Sequence, residues 1–124
     1  MESKELAVRI AKILDKKKAE GLKVLSIRDL TVLADYFVIA SGTSSTHVRS
    51  LADEVEFQLG QQGVEPQRVE GYEARNWILM DYGGVIVHIF YPEARSYYDL
   101  EHLWADAQPV DLSGLLADEE KTEE

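Results

Sequence analysis

Residues 76–82 and 85–91 are two apolar runs separated only by Gly83-Gly84. A glycine pair between two such runs marks a two-residue β-hairpin, because its favoured turns need a positive φ that glycine adopts without strain. The pairing that follows sets Tyr82 opposite Val85, Met80 opposite Val87 and Ile78 opposite Ile89. With Tyr91 these residues share one side of the sheet, since side chains alternate along a strand. That side is expected to be core. The other side carries Trp77, Leu79 and Asp81 from the first strand, and Ile86, His88 and Phe90 from the second. Two readings of it stand together: a helix covers it, or it is a binding surface of aromatic anchors oriented by an acid and an imidazole. Asp81 and His88 lie on a diagonal, ~7–8 Å apart between backbones, which permits direct contact.

The rest of the chain supplies what such a hairpin needs to pack against. Residues 3–19 read as an amphipathic helix with Leu6, Ile10, Ile13 and Leu14 at helical spacing, Ser3 as its cap and Gly21 as its stop. A short strand over 22–28 follows, then an unbroken apolar strand, Tyr36-Phe37-Val38-Ile39-Ala40, of the kind covered on both faces. The loop Ser41-Gly42-Thr43-Ser44 hands over to a helix over 45–60 whose inward stripe is Val48, Leu51, Ala52, Val55 and Leu59. Phe57 falls on its opposite face and is a candidate for self-association. Arg68-Val69-Glu70 reads as a short strand, and Pro92 ends the hairpin ahead of a final helix over 93–107. The order α-β-β-α-β-β-β-α predicts one α/β domain, residues 1–108, with a mixed, mostly five-stranded sheet flanked by helices. Residues 109–124 form an acidic tail, with five acids in the seven residues 118–124, and are expected to be disordered.

Charge narrows the function. Thirteen basic residues stand against 23 acidic ones, a net −10, which argues against a broad grip on a phosphate backbone. No cysteine is present, which removes disulfides, thiol catalysis and Cys-ligated zinc. No apolar run approaches the ~18 residues a membrane span needs. Residues 1–6 lack the pattern of a secretion signal, so a cytoplasmic location is expected.

Catalysis finds little support. No Gly-x-Ser-x-Gly elbow accompanies the serines, and Ser41, Ser44 and Ser45 sit where helix capping is the ordinary task. His47, in the first turn of its helix, is expected to be exposed. His47, His88 and His102 have no metal-ligand spacing. The Gly42-Thr43-Ser44-Ser45 turn lacks the Gly-Lys-Ser/Thr of a P-loop, and Asp81 stands alone in its strand, so the two-carboxylate metal clamp of a nucleotidyltransferase is missing. No cofactor or metal is expected.

Three blocks then coincide in order: Ala34-Asp35-Tyr36-Phe37-Val38-Ile39-Ala40-Ser41-Gly42; Glu70-Gly71 followed by Trp77-Ile78-Leu79-Met80-Asp81-Tyr82-Gly83; and Val87-His88-Ile89-Phe90 leading into Arg95-Ser96-Tyr97-Tyr98-Asp99-Leu100-Glu101-His102-Leu103-Trp104. Together they closely resemble the ribosomal silencing factor family, also called Iojap-like proteins, over about residues 5–107. The resemblance implies a nucleotidyltransferase-like fold without a catalytic site, often homodimeric. It further implies binding to the large ribosomal subunit through its fourteenth ribosomal protein, which blocks joining of the small subunit and represses translation. An acidic chain suits a basic ribosomal protein as partner better than it suits RNA.

On this reading the partner-binding residues are Trp77, Asp81 and His88 on the outer hairpin face, with Arg95 and Tyr98 just beyond. Trp77 supplies buried area, Asp81 accepts from a partner Lys or Arg, and His88 donates or accepts with a charge state that varies near neutral pH. Against this, Trp77 and Trp104 are of a type more often found in cores. Arg95 and Glu101, six apart, are too far along one helix to satisfy each other. Tyr97 and Tyr98 point in different directions on a helix, so at most one is fully buried. Two alternatives keep their place: a large-subunit assembly adaptor, and a divergent nucleotide-binding enzyme using residues 41–44 and Asp81.

Overall fold

A computed structural model describes residues 2–73 and 76–113. Its central strand, β2 (Tyr36–Ser41), is buried at every position. It runs parallel to β5 (Val85–Phe90), with Tyr36 paired to Val85 and Ser41 to Phe90, and antiparallel to β1 (Glu20–Ser26). Beyond β5 lie β4 (Trp77–Asp81) and β3 (Arg68–Glu70), and beyond β1 lies β6 (Gln108–Pro109). The described sheet therefore has six strands rather than five, in the order β3-β4-β5-β2-β1-β6. The additional strand escapes a pattern search because it is two residues long and contains a proline, which is tolerated only at a sheet edge.

The hairpin register is the one its glycine pair predicts: Ile78 opposite Ile89, Met80 opposite Val87, and Tyr82 N–H bonded to the Val85 carbonyl at 2.9 Å. Gly83 takes φ +87°, as the first position of a type II′ turn requires.

Helices α1 (Ser3–Lys16) and α2 (Ser45–Gly60) cover one face of the sheet. Ile10, Leu14, Leu51 and Leu59 are fully enclosed there with Val38, Val87 and Ile89. Burying a side chain of this size contributes roughly 1.5–3 kcal/mol. Ser44 caps α2, its hydroxyl accepting from the His47 N–H at 3.1 Å. Ser3 does not cap α1; it is the first helical residue, behind Glu2. That helix also stops ahead of Gly21, where Lys18 turns left-handed at φ +65°.

The other face is covered differently. The predicted single helix over 93–107 is two short ones, α3 (Pro92–Tyr98) and α4 (Leu100–Leu103), broken by Asp99 at φ +47°. Aspartate is among the few non-glycine residues that tolerate this conformation. The break lays Leu100 and Trp104 over Leu25, Ile27, Phe37, Ile39 and Phe90, forming a second, smaller core. The fold also runs past residue 108. Pro109 pairs with Leu25, Val110 N–H bonds to the Val24 carbonyl, and Leu112 packs on the first core. The acidic stretch 118–124 lies outside the described residues.

Candidate functional site

Alternation along β4 and β5 places Trp77, Leu79, Asp81, Ile86, His88 and Phe90 on the face opposite α1 and α2. The structure brings most of the predicted site residues together here, in unequal roles. Trp77 is half-buried, stacked on Phe90 with centroids 5.1 Å apart and tilted against Tyr98 at 4.8 Å. Tyr98 stays exposed, and Tyr97 meets it edge-on at 5.2 Å. Neither tyrosine is buried. Indole and phenol thus form a continuous aromatic ledge between the hairpin and α3.

His88 lies beneath that ledge, only 4% exposed, so it does not present itself as an anchor. The Trp77 indole N–H donates to its Nδ1 at 3.1 Å, and the Phe37 ring meets it edge-on at 4.6 Å. Its Nε2 is buried without a partner among the described residues. Burial pushes its pKa down from the ordinary 6.5 to about 4. The expected variation near neutral pH is therefore corrected: the ring is neutral there and fixes the indole from below.

Asp81 does not reach His88. Its Oδ1 accepts from the Gly83 N–H at 2.8 Å, closing the hairpin turn, while Oδ2 lies 3.7 Å from the Arg68 guanidinium. Arg68 is also held by Glu70 at 2.6 Å. One carboxylate oxygen is thus structural and the other faces an exposed cation at the sheet edge.

Arg95 differs most from expectation. Because the chain reverses at Asp99, Glu101 comes back to it, and the two pair at 3.0 Å between Nη2 and Oε2, with Nε bonds at 3.3 Å. Its Nη1 donates to the Ser41 hydroxyl at 3.1 Å and approaches the Glu20 carbonyl at 3.5 Å. Gly21, at φ +58°, leaves room for this guanidinium, which a Cβ there would meet. Burial alone would raise the Glu101 carboxyl, but the Arg95 bond and charge, with Lys23, hold it below its usual range. Arg95 is thus a tie between α3, α4 and the β1–β2 edge. Arg95→Met should lower stability by about 2 kcal/mol, less than a fully buried pair because Glu101 keeps 28% of its side chain in water. In thermal melts that is a fall of roughly 6–10 °C, and Arg95→Lys should recover less than half of it, lacking the planar fork.

The loop from Ser41 to Ser44 is engaged within the chain. Gly42 N–H bonds to the Phe90 carbonyl at 2.9 Å, Thr43 N–H to His47 Nδ1 at 2.9 Å, and Ser44 caps α2. His47 is half-buried rather than exposed; its Nε2 lies 2.8 Å from the Lys17 carbonyl and ties this loop to the end of α1. Among the described residues no group of three or more His, Asp or Glu side chains is placed to hold a metal, and no helix is long and apolar enough to cross a membrane.

The model of the family described as "Ribosomal silencing factor during starvation" matches residues 1–124. The chain belongs to the ribosomal silencing factor family. Ribosomal silencing factor RsfS of Halalkalibacterium halodurans is 39% identical over 117 residues, covering 94% of this chain and all of that protein. The chloroplastic protein Iojap of Zea mays is 29% identical over 106 residues, 86% of this chain and 46% of that one. A crystal structure of a Chromobacterium violaceum protein superposes with a TM-score of 0.81 at 35% identity, covering 85% of this chain and 88% of that one. In this family member the half-buried Trp77 and the exposed Tyr98 are accessible parts of the motif-bearing surface, beside the more exposed Tyr97 and Leu103. His88 bonds to the indole from below, and Arg95 is engaged within the fold by Glu101 and Ser41; a pattern search cannot tell such internal partners from exposed residues.

Proposed function

We propose that this chain is a non-enzymatic, cytoplasmic translation repressor that binds the large ribosomal subunit through its fourteenth ribosomal protein and sterically blocks the small subunit. The observation that carries this is the Trp77–Tyr98 ledge, solvent-accessible on a member of the silencing-factor family, with its indole stacked on Phe90 and bonded to His88. A pre-organised aromatic pair lets a partner bury area with little ordering cost. Trp77 and Tyr98 make the contact, Asp81 offers Oδ2 to a basic partner, and His88 and Arg95 act by positioning. Steric occlusion needs no catalytic group. Homodimerisation accompanies this reading, with Phe57, 61% exposed on α2, as the self-association candidate.

The test is sedimentation with isolated large subunits, small subunits and joined ribosomes, using wild type and Asp81→Arg. Wild type should ride with free large subunits alone and prevent joining, and the charge reversal should lose both while keeping a cooperative melt. Binding confined to precursor particles would favour the assembly-adaptor reading. Binding to no particle, with a melting rise on adding nucleotide and divalent metal, would favour the enzyme.

A further inference from the structure

Beside the aromatic ledge the surface dips into a shallow cleft of about 860 Å³, walled by Thr43, Asn76, Tyr91, Glu93, Tyr97 and Tyr98. The cleft is continuous with the ledge, because Tyr98 belongs to both and Asn76 immediately precedes Trp77. Three of its walls are phenol rings. Tyr97 is 82% exposed, and the only described aromatic ring it meets is Tyr98. Glu93 is the only charged side chain among the described residues that line the cleft. It is exposed and takes part in none of the ion pairs among the described residues, whereas the charge of Arg95, two residues on, is taken up by Glu101.

We propose that this cleft receives an arginine side chain of the basic protein partner, its guanidinium stacked on a tyrosine ring and paired with Glu93. The inference rests on the reading of the ledge as a contact for a basic ribosomal protein, and adds the side chain that is recognised. Phenol faces attract a cation within ~6 Å of the ring centroid, and a carboxylate beside them adds a charged acceptor. A phosphate ligand would meet that carboxylate and be repelled, and a purely apolar segment would desolvate Glu93 without pairing it. Guanidinium suits the walls better than ammonium: it is planar, stacks on rings, is more weakly hydrated and offers its donors in a fork that matches a carboxylate. Area points the same way. The half-buried Trp77 and Tyr98 alone fall well short of the roughly 800 Å² per partner of a standard interface, and the cleft extends their surface without a break.

Sedimentation with isolated large subunits at low salt compares wild type with Glu93→Lys and Tyr97→Ala. Glu56→Lys, at an exposed acid of α2 on the other face of the sheet, controls for the change in net charge. Glu93→Lys should weaken binding about tenfold and Tyr97→Ala about fivefold, both with unchanged melting, while Glu56→Lys stays within about twofold of wild type. A second measurement needs no ribosome: a hexa-arginine peptide is titrated into the full chain and the Tyr97 and Tyr98 ring signals are followed by NMR, with hexalysine as the comparison. The arginine peptide should shift both rings at a concentration about threefold lower than the lysine peptide, and Glu93→Gln should weaken its binding by a similar factor. Equal losses from Glu93→Lys and Glu56→Lys, or equal responses to the two peptides, would each overturn the proposal. Wild type that rides on no large subunit, yet still prefers hexa-arginine at Tyr97 and Tyr98, would overturn the repressor reading alone and leave the preference of the cleft for guanidinium standing.

Discussion

Acidification from neutral pH to about pH 4 should remove roughly 3 kcal/mol of folding stability through one side chain, His88. Its ring is enclosed by Phe37, Trp77 and Phe90, and desolvation lowers its pKa from 6.5 to about 4. The unfolded chain therefore takes up the proton first. The contribution is fully present above pH 6.5, declines as pH falls through the interval to about 4, and is exhausted below it. Glu101, held below its usual range, adds a loss that begins only under the ordinary carboxylate pKa of 4.5. Urea melts at half-unit steps, on wild type and His88→Phe, separate the two. The variant should start lower at neutral pH, because the Trp77 N–H loses its acceptor, and show a much flatter slope between pH 6.5 and 4. Parallel curves for the two proteins would refute the assignment.

Trp77→Ala should weaken large-subunit binding at least thirtyfold, about 2 kcal/mol, the scale of a central aromatic anchor. The same change removes the stacking on Phe90, uncovers His88 and lowers stability by roughly 2–3 kcal/mol, below the range for a fully buried tryptophan. Trp77→Phe distinguishes the two effects. It keeps a ring on the ledge but no N–H for His88, so it should lose stability while retaining most of the affinity. The check is subunit titration by sedimentation alongside thermal melts of each variant. Wild-type affinity in a destabilised Trp77→Ala protein would move the partner site elsewhere.

The hairpin, both long helices and the buried β2 were legible in the sequence because each obeys a local periodicity: two along the strands, 3.6 along α1 and α2. What was not legible depends on single residues or on distant contacts. Asp99 breaks the last helix by one backbone angle, and aspartate occurs in continuous helices too often to announce it. Once the chain reverses there, Arg95 and Glu101 become neighbours, so a rule based on helical spacing fails for that pair. His47 finds its acceptor at Lys17, thirty residues back, and no local pattern predicts this. The alternation placed His88 on the correct face. Whether that face was roofed depended on how Phe37 of β2 and Trp77 of β4 each pack against the His88 ring from a neighbouring strand.

The strand order has a bearing on how the protein is made. β1 is synthesised early, yet its outer edge is closed by β6 at residues 108–109, and β2 must wait for β5. During translation at ~5–20 residues per second, the amino-terminal half emerges with apolar strands whose neighbours do not yet exist. The described sheet is complete only once residues 108–109 have been made and have paired with β1. Until then the nascent chain presents the edges of β1 and β2 to strand-edge association on the ribosome that makes it.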